Sequence, residues 1–268
     1  MTRAMLAAVA LTIAAVVPGA AQQTPRATAP LDLTGNWVSV VTEDWRWRML
    51  TPAKGDAPGI PLNAEGIKVT NAWDLARDNA TGNQCKAFGA GGIMRIPTRV
   101  RISWQDDSTL KLETDAGTQT RVLRFYGSVP PRPTGEPSLQ GFSIASWQLR
   151  NTGTPLLAPA GGRGQGSGVR PKGSLKVVTT NLRAGYTRKN GIPYSDRTVL
   201  TEYYDRHEDF GSEWFTVMTI VDDPTYYVSP FVTTTHFKKE PDGSKWNPQP
   251  CETMPPTVNV IAKGQGGD

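Results

Sequence analysis

Residues 99–125 read RVRISWQDDSTLKLETDAGTQTRVLRF, and their pattern decides the fold. Val100, Ile102 and Trp104 alternate with Arg99 and Arg101, Asp106-Asp107-Ser108 turns the chain, and Leu110 and Leu112 then alternate with Lys111 and Glu113. Asp115-Ala116-Gly117 turns it again into 118–126. Successive side chains on a strand point to opposite faces, so a period of two bounded by turn residues predicts three short strands in a meander.

The same period recurs outward from this stretch. Upstream, Trp37, Ser39, Val41, Glu43, Trp45, Trp47 and Met49 occupy odd positions, which predicts one long strand with an aromatic face. Downstream, strands are expected at 139–149, 174–183, 198–207, 213–222 and 230–238, with Asp209-Phe210-Gly211-Ser212 and Asp223-Pro224 as turn chemistry. One short helix is expected to start at Asn63 and run toward Ala76, with Leu62, Ile67, Ala72 and Trp73 as apolar positions and Gly66 weighing against it. Long loops separate these elements, and 151–172 is a Pro/Gly-rich one. A βαβ rhythm is missing, so the class is all-β. A single antiparallel up-and-down barrel hides so many edges most simply, with a β-sandwich as the alternative.

At the front, Arg3 precedes the uncharged run Ala4–Val17 and the small residues Gly19, Ala20 and Ala21, which reads as a signal peptide over 1–21. The run is shorter than the roughly 20 residues a membrane-spanning helix needs. The chain is thus expected in the periplasm or secreted, with a flexible leader at 22–32, a barrel domain at 33–251 and a disordered tail at 252–268. Cys85 and Cys251 are the only cysteines. An oxidising compartment lets them pair, and neither carries the C-x-x-C spacing of a redox thiol.

Composition and motifs exclude several chemistries. With 29 Lys+Arg against 24 Asp+Glu the net charge is +5, too small and diffuse for a nucleic-acid partner in an exported chain. The two histidines, His207 and His236, stand in no H-x-H or H-E-x-x-H spacing, so no metal site is expected. The glycine run 161–168 lacks a phosphate-loop pattern and no G-x-S-x-G elbow occurs, so no cofactor is implied. Oligomeric state is not legible.

Charged residues in register with apolar faces are the candidates for chemistry. Glu43 shares its face with Trp37 and Trp45, Arg121 with Leu123 and Phe125, and Glu202 with Leu200 and Tyr204. A charge facing a core needs a partner, water or a ligand. Glu43, Arg121, Glu202 and Tyr204 are therefore the candidate catalytic set, and Trp45, Trp47, Trp104, Phe125 and Trp214 the candidate ligand-binding aromatics. His236 is expected outside or at the rim.

Leu33-Thr34-Gly35-Asn36-Trp37 resembles the G-x-W opening strand of lipocalin-like (calycin-like) barrels. Leu200-Thr201-Glu202, the run Asp223-Pro224-x-x-Tyr227-x-x-Pro230-Phe231, Cys85-x-x-x-Gly89 and Met94-Arg95 resemble a group of secreted bacterial β-barrel proteins with no assigned activity. That group's C-x-P-x-G-x-P pattern stands here as Cys85-Lys-Ala-Phe-Gly-Ala-Gly, without its prolines. The resemblance implies export and a barrel. The expected function is an exported lipocalin-like barrel binding a small apolar or aromatic molecule inside it. The alternatives are a cofactor-independent lyase, isomerase, cyclase or hydratase using the same cavity, and a structural envelope protein.

Overall fold

The computed structural model describes residues 23–127, 129–149 and 173–256. The expected signal peptide, the 151–172 loop and the tail from 257 onward lie outside these residues.

Nine strands close into a barrel: β1 (Gly35–Val40), β2 (Arg99–Asp106), β3 (Thr109–Thr114), β4 (Gln119–Phe125), β5 (Phe142–Leu149), β6 (Gly173–Thr180), β9 (Val199–Asp209), β10 (Ser212–Asp222) and β11 (Phe231–Glu240). The remaining strands, β7 (Gly185–Arg188) and β8 (Ile192–Tyr194), form a separate hairpin. The meander appears as read, with Leu112 opposite both Ile102 and Arg121. The turn at Asp209–Ser212 puts Phe210 and Gly211 at φ of 49° and 67°, the left-handed pair that suits a two-residue hairpin. Closure is made by β1 on β11, from Asn36↔Glu240 to Val40↔His236.

Three local expectations are corrected. The barrel is not antiparallel throughout: β4 and β5 pair in parallel, because 126–141 carries the chain back along the barrel before β5 begins, as a parallel neighbour requires. The long first strand stops at Val40. Asp44 then takes a left-handed conformation (φ 52°) and Trp45–Met49 is helix α1. Positions 45 and 49 also share a face at helical spacing, and the tertiary contacts of α1 decide between the two periods. The third correction concerns the helical region, which holds α2 (Ala64–Ala72) and α3 (Leu75–Ala80), capped by the side chains of Asn63 and Asp74. Gly66, which weighs against a helix by propensity, is buried where a Cβ would lie 2.5 Å from the Tyr226 carbonyl oxygen. Ile67 is exposed.

Everything inserted between β1 and β2 and between β6 and β9 leaves and re-enters at one end of the barrel, which it caps. A second apolar cluster, including Ile60, Leu182, Ile192, Tyr194, Leu200 and Phe231, joins this cap to the barrel. Asp223, in the Asp-Pro motif, is 1% exposed and accepts hydrogen bonds from the Ser195, Thr225 and Tyr226 backbone N–H groups and the Ser195 and Thr198 hydroxyls. It thereby ties the turn after β8 to the turn after β10. At the opposite end, the leader residues are laid on the barrel: Trp147 Nε1 donates to Pro25 O (2.8 Å), Arg26 N to Asp107 O (3.0 Å), and Leu31 packs on the core. Among the described residues no helix is long and apolar enough to cross a membrane.

A disulfide joins Cys85 and Cys251 across 166 residues. It is not the sole fastening of the C-terminal segment: Gln249 N donates to Asp115 O (2.8 Å), Thr118 Oγ1 to Gln249 O (2.8 Å), and the Arg101 guanidinium lies 4.4 Å from the Trp246 ring centroid. Cys85→Ser is expected to retain the native circular dichroism spectrum while losing about 4–5 kcal/mol in urea unfolding, the chain-entropy value for so long a loop. An unchanged unfolding midpoint would contradict this.

Candidate functional site

The barrel interior is filled by its own side chains. Trp37, Phe215, Phe237 and Tyr204 are fully buried, with Phe215 stacked 4.5 Å from Phe237 and edge-on to Trp37 at 4.9 Å. Trp104, Phe125 and Trp147 form a second aromatic group toward the leader end, with centroid distances of 5.8 Å (Trp104–Phe125) and 5.0 Å (Phe125–Trp147). Ring contacts of this kind between residues shut from solvent make the inner faces a core.

Three of the four candidate catalytic residues meet inside this core. Arg121 Nη1 donates to Glu202 Oε1 (2.9 Å) and Arg121 Nη2 to Glu202 Oε2 (2.5 Å), a two-point ion pair between β4 and β9. The Tyr204 hydroxyl donates to Glu202 Oε1 (3.2 Å), and Arg121 Nη2 also reaches Thr179 Oγ1 (3.3 Å), whose hydroxyl bonds Ser143. Arg121 is 1% exposed and Glu202 and Tyr204 are 0% exposed. Partnered by each other and shut from solvent, these groups compensate buried charge and present no reactive atom to a substrate in this conformation. Glu43 is elsewhere: half-buried on the loop after β1, it pairs with Arg48 (2.5 Å) and Thr42 and lies 4.0 Å from His236 Nε2. His236 is on the outer face of β11, its Nδ1 bonded to Thr216 Oγ1 (2.9 Å).

The candidate aromatics divide similarly. Trp104 and Phe125 are in the core, and Trp214 lies on the outer wall, with Lys238 Nζ 5.6 Å from its ring centroid. On α1, Trp47 is turned toward the cap, with the Arg188 guanidinium 5.2 Å from its ring centroid. Trp45 is 64% exposed. It lines an open groove of about 730 Å³ with Met49 of α1, Val38, Val40 and Val41 at β1, and Pro97. Arg99, Asp115, Asn247 and Gln249 make its polar side. Arg99 is held there by Glu240 (3.1 Å), and Asp115 by the Thr98 hydroxyl (2.9 Å) and the Arg99 N–H (2.7 Å). Sequence reading missed Met49 and Val40 as groove residues because it placed both on one strand. The spacing of Trp45 and Met49 puts them on one face in either period, so no local signal separated the helical turn from a strand.

A smaller recess of about 450 Å³ opens in the cap, where Asp78 accepts from the Tyr186 hydroxyl (2.8 Å) and from Trp73 Nε1 (3.1 Å). Burial first, and then the hydrogen bond and charge of Asp78, hold the Tyr186 phenol well above its ordinary range. Comparison with known proteins found no matching family, no similar curated protein and no similar solved structure.

Two outcomes are expected. Arg121→Met or Glu202→Leu alone strands a buried charge and costs about 3–5 kcal/mol, whereas the double variant recovers most of the loss. Additive losses in a denaturation cycle would refute this. The second concerns alkaline pH. Burial pushes the Tyr194, Tyr204 and Tyr227 phenols above their ordinary values, so the folded chain keeps protons that the unfolded chain releases above about pH 10. Stability is therefore complete below that pH and falls as it rises, and tyrosinate absorbance from these residues emerges only with unfolding. Their ionisation before any loss of ellipticity would contradict the assignment.

Proposed function

We propose that this chain is an exported β-barrel protein that binds a small apolar or aromatic molecule, and that it does so in the groove beside α1 instead of the barrel lumen. The observation that carries this reading is the exposure of Trp45 in a concavity of ligand size whose other walls are Val38, Val40, Met49 and Pro97. Small-molecule sites of roughly 300–1,000 Å³ are mostly apolar with a few placed polar groups, and an indole left in water at such a site gains contact area on binding. Here the wall is rigid because it is barrel strand, and the Arg99–Glu240 and Asp115 bonds hold the polar edge in place. The disulfide-anchored segment supplies Asn247 and Gln249. The G-x-W opening, the disulfide and the N-terminal apolar run support the exported, lipocalin-like part of the reading.

The test is a titration with the neutral aromatic probe N-phenyl-1-naphthylamine, read by probe fluorescence. Saturable binding is expected, weakened about tenfold or more by Trp45→Ala or Met49→Asp and left unchanged by Trp214→Phe, each tenfold being about 1.4 kcal/mol. Absence of saturation, or saturation indifferent to Trp45 and Met49, would refute the groove as the site.

A further inference from the structure

The recess in the cap lies where α2 and α3, the short turn Gln84–Phe88 that carries Cys85, and the β7–β8 hairpin meet. Its walls are fixed by close packing. A Cβ at Gly191 would lie 2.1 Å from Trp73 Cγ, and one at Gly185 2.5 Å from the Tyr194 hydroxyl, so glycine lets the hairpin backbone approach these rings. Tyr186 and Tyr226 add two half-buried rings. At about 450 Å³ the hollow falls within the roughly 300–1,000 Å³ of small-molecule sites.

Asp78 lines this recess and is 7% exposed. Both side-chain donors that hold it, Trp73 Nε1 and the Tyr186 hydroxyl, converge on Oδ2. The Tyr186 phenol, pushed up by burial and by Asp78, keeps its proton and so remains a donor to that oxygen. Oδ1 accepts no hydrogen bond from any described residue, yet it is not sealed from solvent. The recess thus presents one open acceptor on a side chain that is otherwise locked in place. Lys86 supplies a donor: its Nζ is 5.5 Å from the Tyr186 ring centroid and has no hydrogen bond or ion pair among the described residues.

The charges around the recess are mixed. Asp78, Lys86 and the exposed Arg77 line it, and Asp74, at the α3 cap, is close enough to Arg77 to feel its charge. Beyond Tyr226, Glu65 is paired with Lys68, Asp223 is taken up by its turn and Asp196 is on the surface. This arrangement discriminates among ligands. An apolar molecule would take Asp78 Oδ1 out of water with no donor in exchange. An amine would meet Lys86 already beside the Tyr186 ring, and a carboxylate would meet Asp78. We propose that the recess is a carbohydrate site, in which a neutral sugar donates one hydroxyl to Asp78 Oδ1, accepts from Lys86 Nζ with another, and packs its C–H face on the tyrosine rings. It shares no lining residue with the groove beside α1.

The experiment is saturation-transfer-difference NMR of the full chain with D-glucose, D-galactose, D-mannose, N-acetyl-D-glucosamine and cellobiose, each titrated alone. Saturable transfer to the ring C–H protons of at least one sugar is expected. Asp78→Asn keeps an acceptor for Trp73 and Tyr186 while placing an amide N–H2 at the open position, and is expected to weaken binding about tenfold or more. Lys86→Met, at a half-buried position on which no ion pair depends, is expected to weaken it several-fold with an unchanged urea midpoint. Trp214→Phe, on the outer wall, is expected to leave it unchanged. The proposal is overturned by the absence of saturable transfer to any of these sugars, or by affinities indifferent to both Asp78→Asn and Lys86→Met. Tighter binding of tetramethylammonium or benzoate than of any sugar, lost in the same variants, would overturn it as well.

Discussion

Closure of the sheet is the constraint from which the rest follows. Once β1 pairs with β11 every barrel strand has two neighbours, and the inner faces of nine strands enclose a volume that must be filled. The chain fills it with large rings, with aliphatic residues such as Leu112, Leu175 and Val217, and with one compensated charge pair, Arg121–Glu202. That pair lies toward the capped end, where the apolar filling of the barrel gives way to the second cluster under the cap. Its two-point geometry and the hydroxyls of Tyr204 and Thr179 offset the desolvation of both ions, while Arg121 Nε stays unpartnered.

With the barrel filled, the open concavities lie in what is attached outside it. The cap is built from two insertions fastened by carboxylate hubs. Asp223 gathers the turns beside β9 and β10, and Asp115 gathers the start of β2, the turn before β4 and, through its carbonyl, the C-terminal segment. Between these fixed points α1 is only five residues long, too short to be stable by propensity. It is held by what it buries: Arg48 bonds the Arg95 carbonyl and Glu43, and Trp47 lies between Arg46 and Arg188. Anchoring from one side leaves the other side, with Trp45 and Met49, in water.

The motifs quoted from the resemblance take structural roles in this molecule. Glu202 of the Thr-Glu pair is the buried counter-ion of Arg121, Asp223 of the Asp-Pro motif is the turn hub, and Tyr227 and Phe231 pack on each other at the cap. Cys85 begins its own segment with a covalent tie. The glycines that follow it serve close packing: a Cβ at Gly89 or Gly91 would overlap the Tyr194 ring or its hydroxyl. None of these residues lines the groove, whose walls carry no motif.

Local patterns determined much of the architecture. Alternation in 99–125 and 198–222 specified strands and their inward faces, because a half-buried strand with the wrong period exposes its whole apolar set. Asp209–Ser212 specified its hairpin through residues suited to positive φ, and two cysteines alone allowed one pairing. What only the tertiary structure decided were features whose energetics are non-local. Whether Trp45–Met49 continues a strand or turns as a helix depends on Arg48 finding Glu43 and the Arg95 carbonyl, and both periods fit those five residues. The parallel β4–β5 pairing depends on the route of 126–141, the partner of Arg121 on which strand closes beside it, and the fill of the barrel on the summed volume of side chains from every strand. Pairing and packing energies of this kind belong to residues far apart in the chain, so no window of sequence contains them.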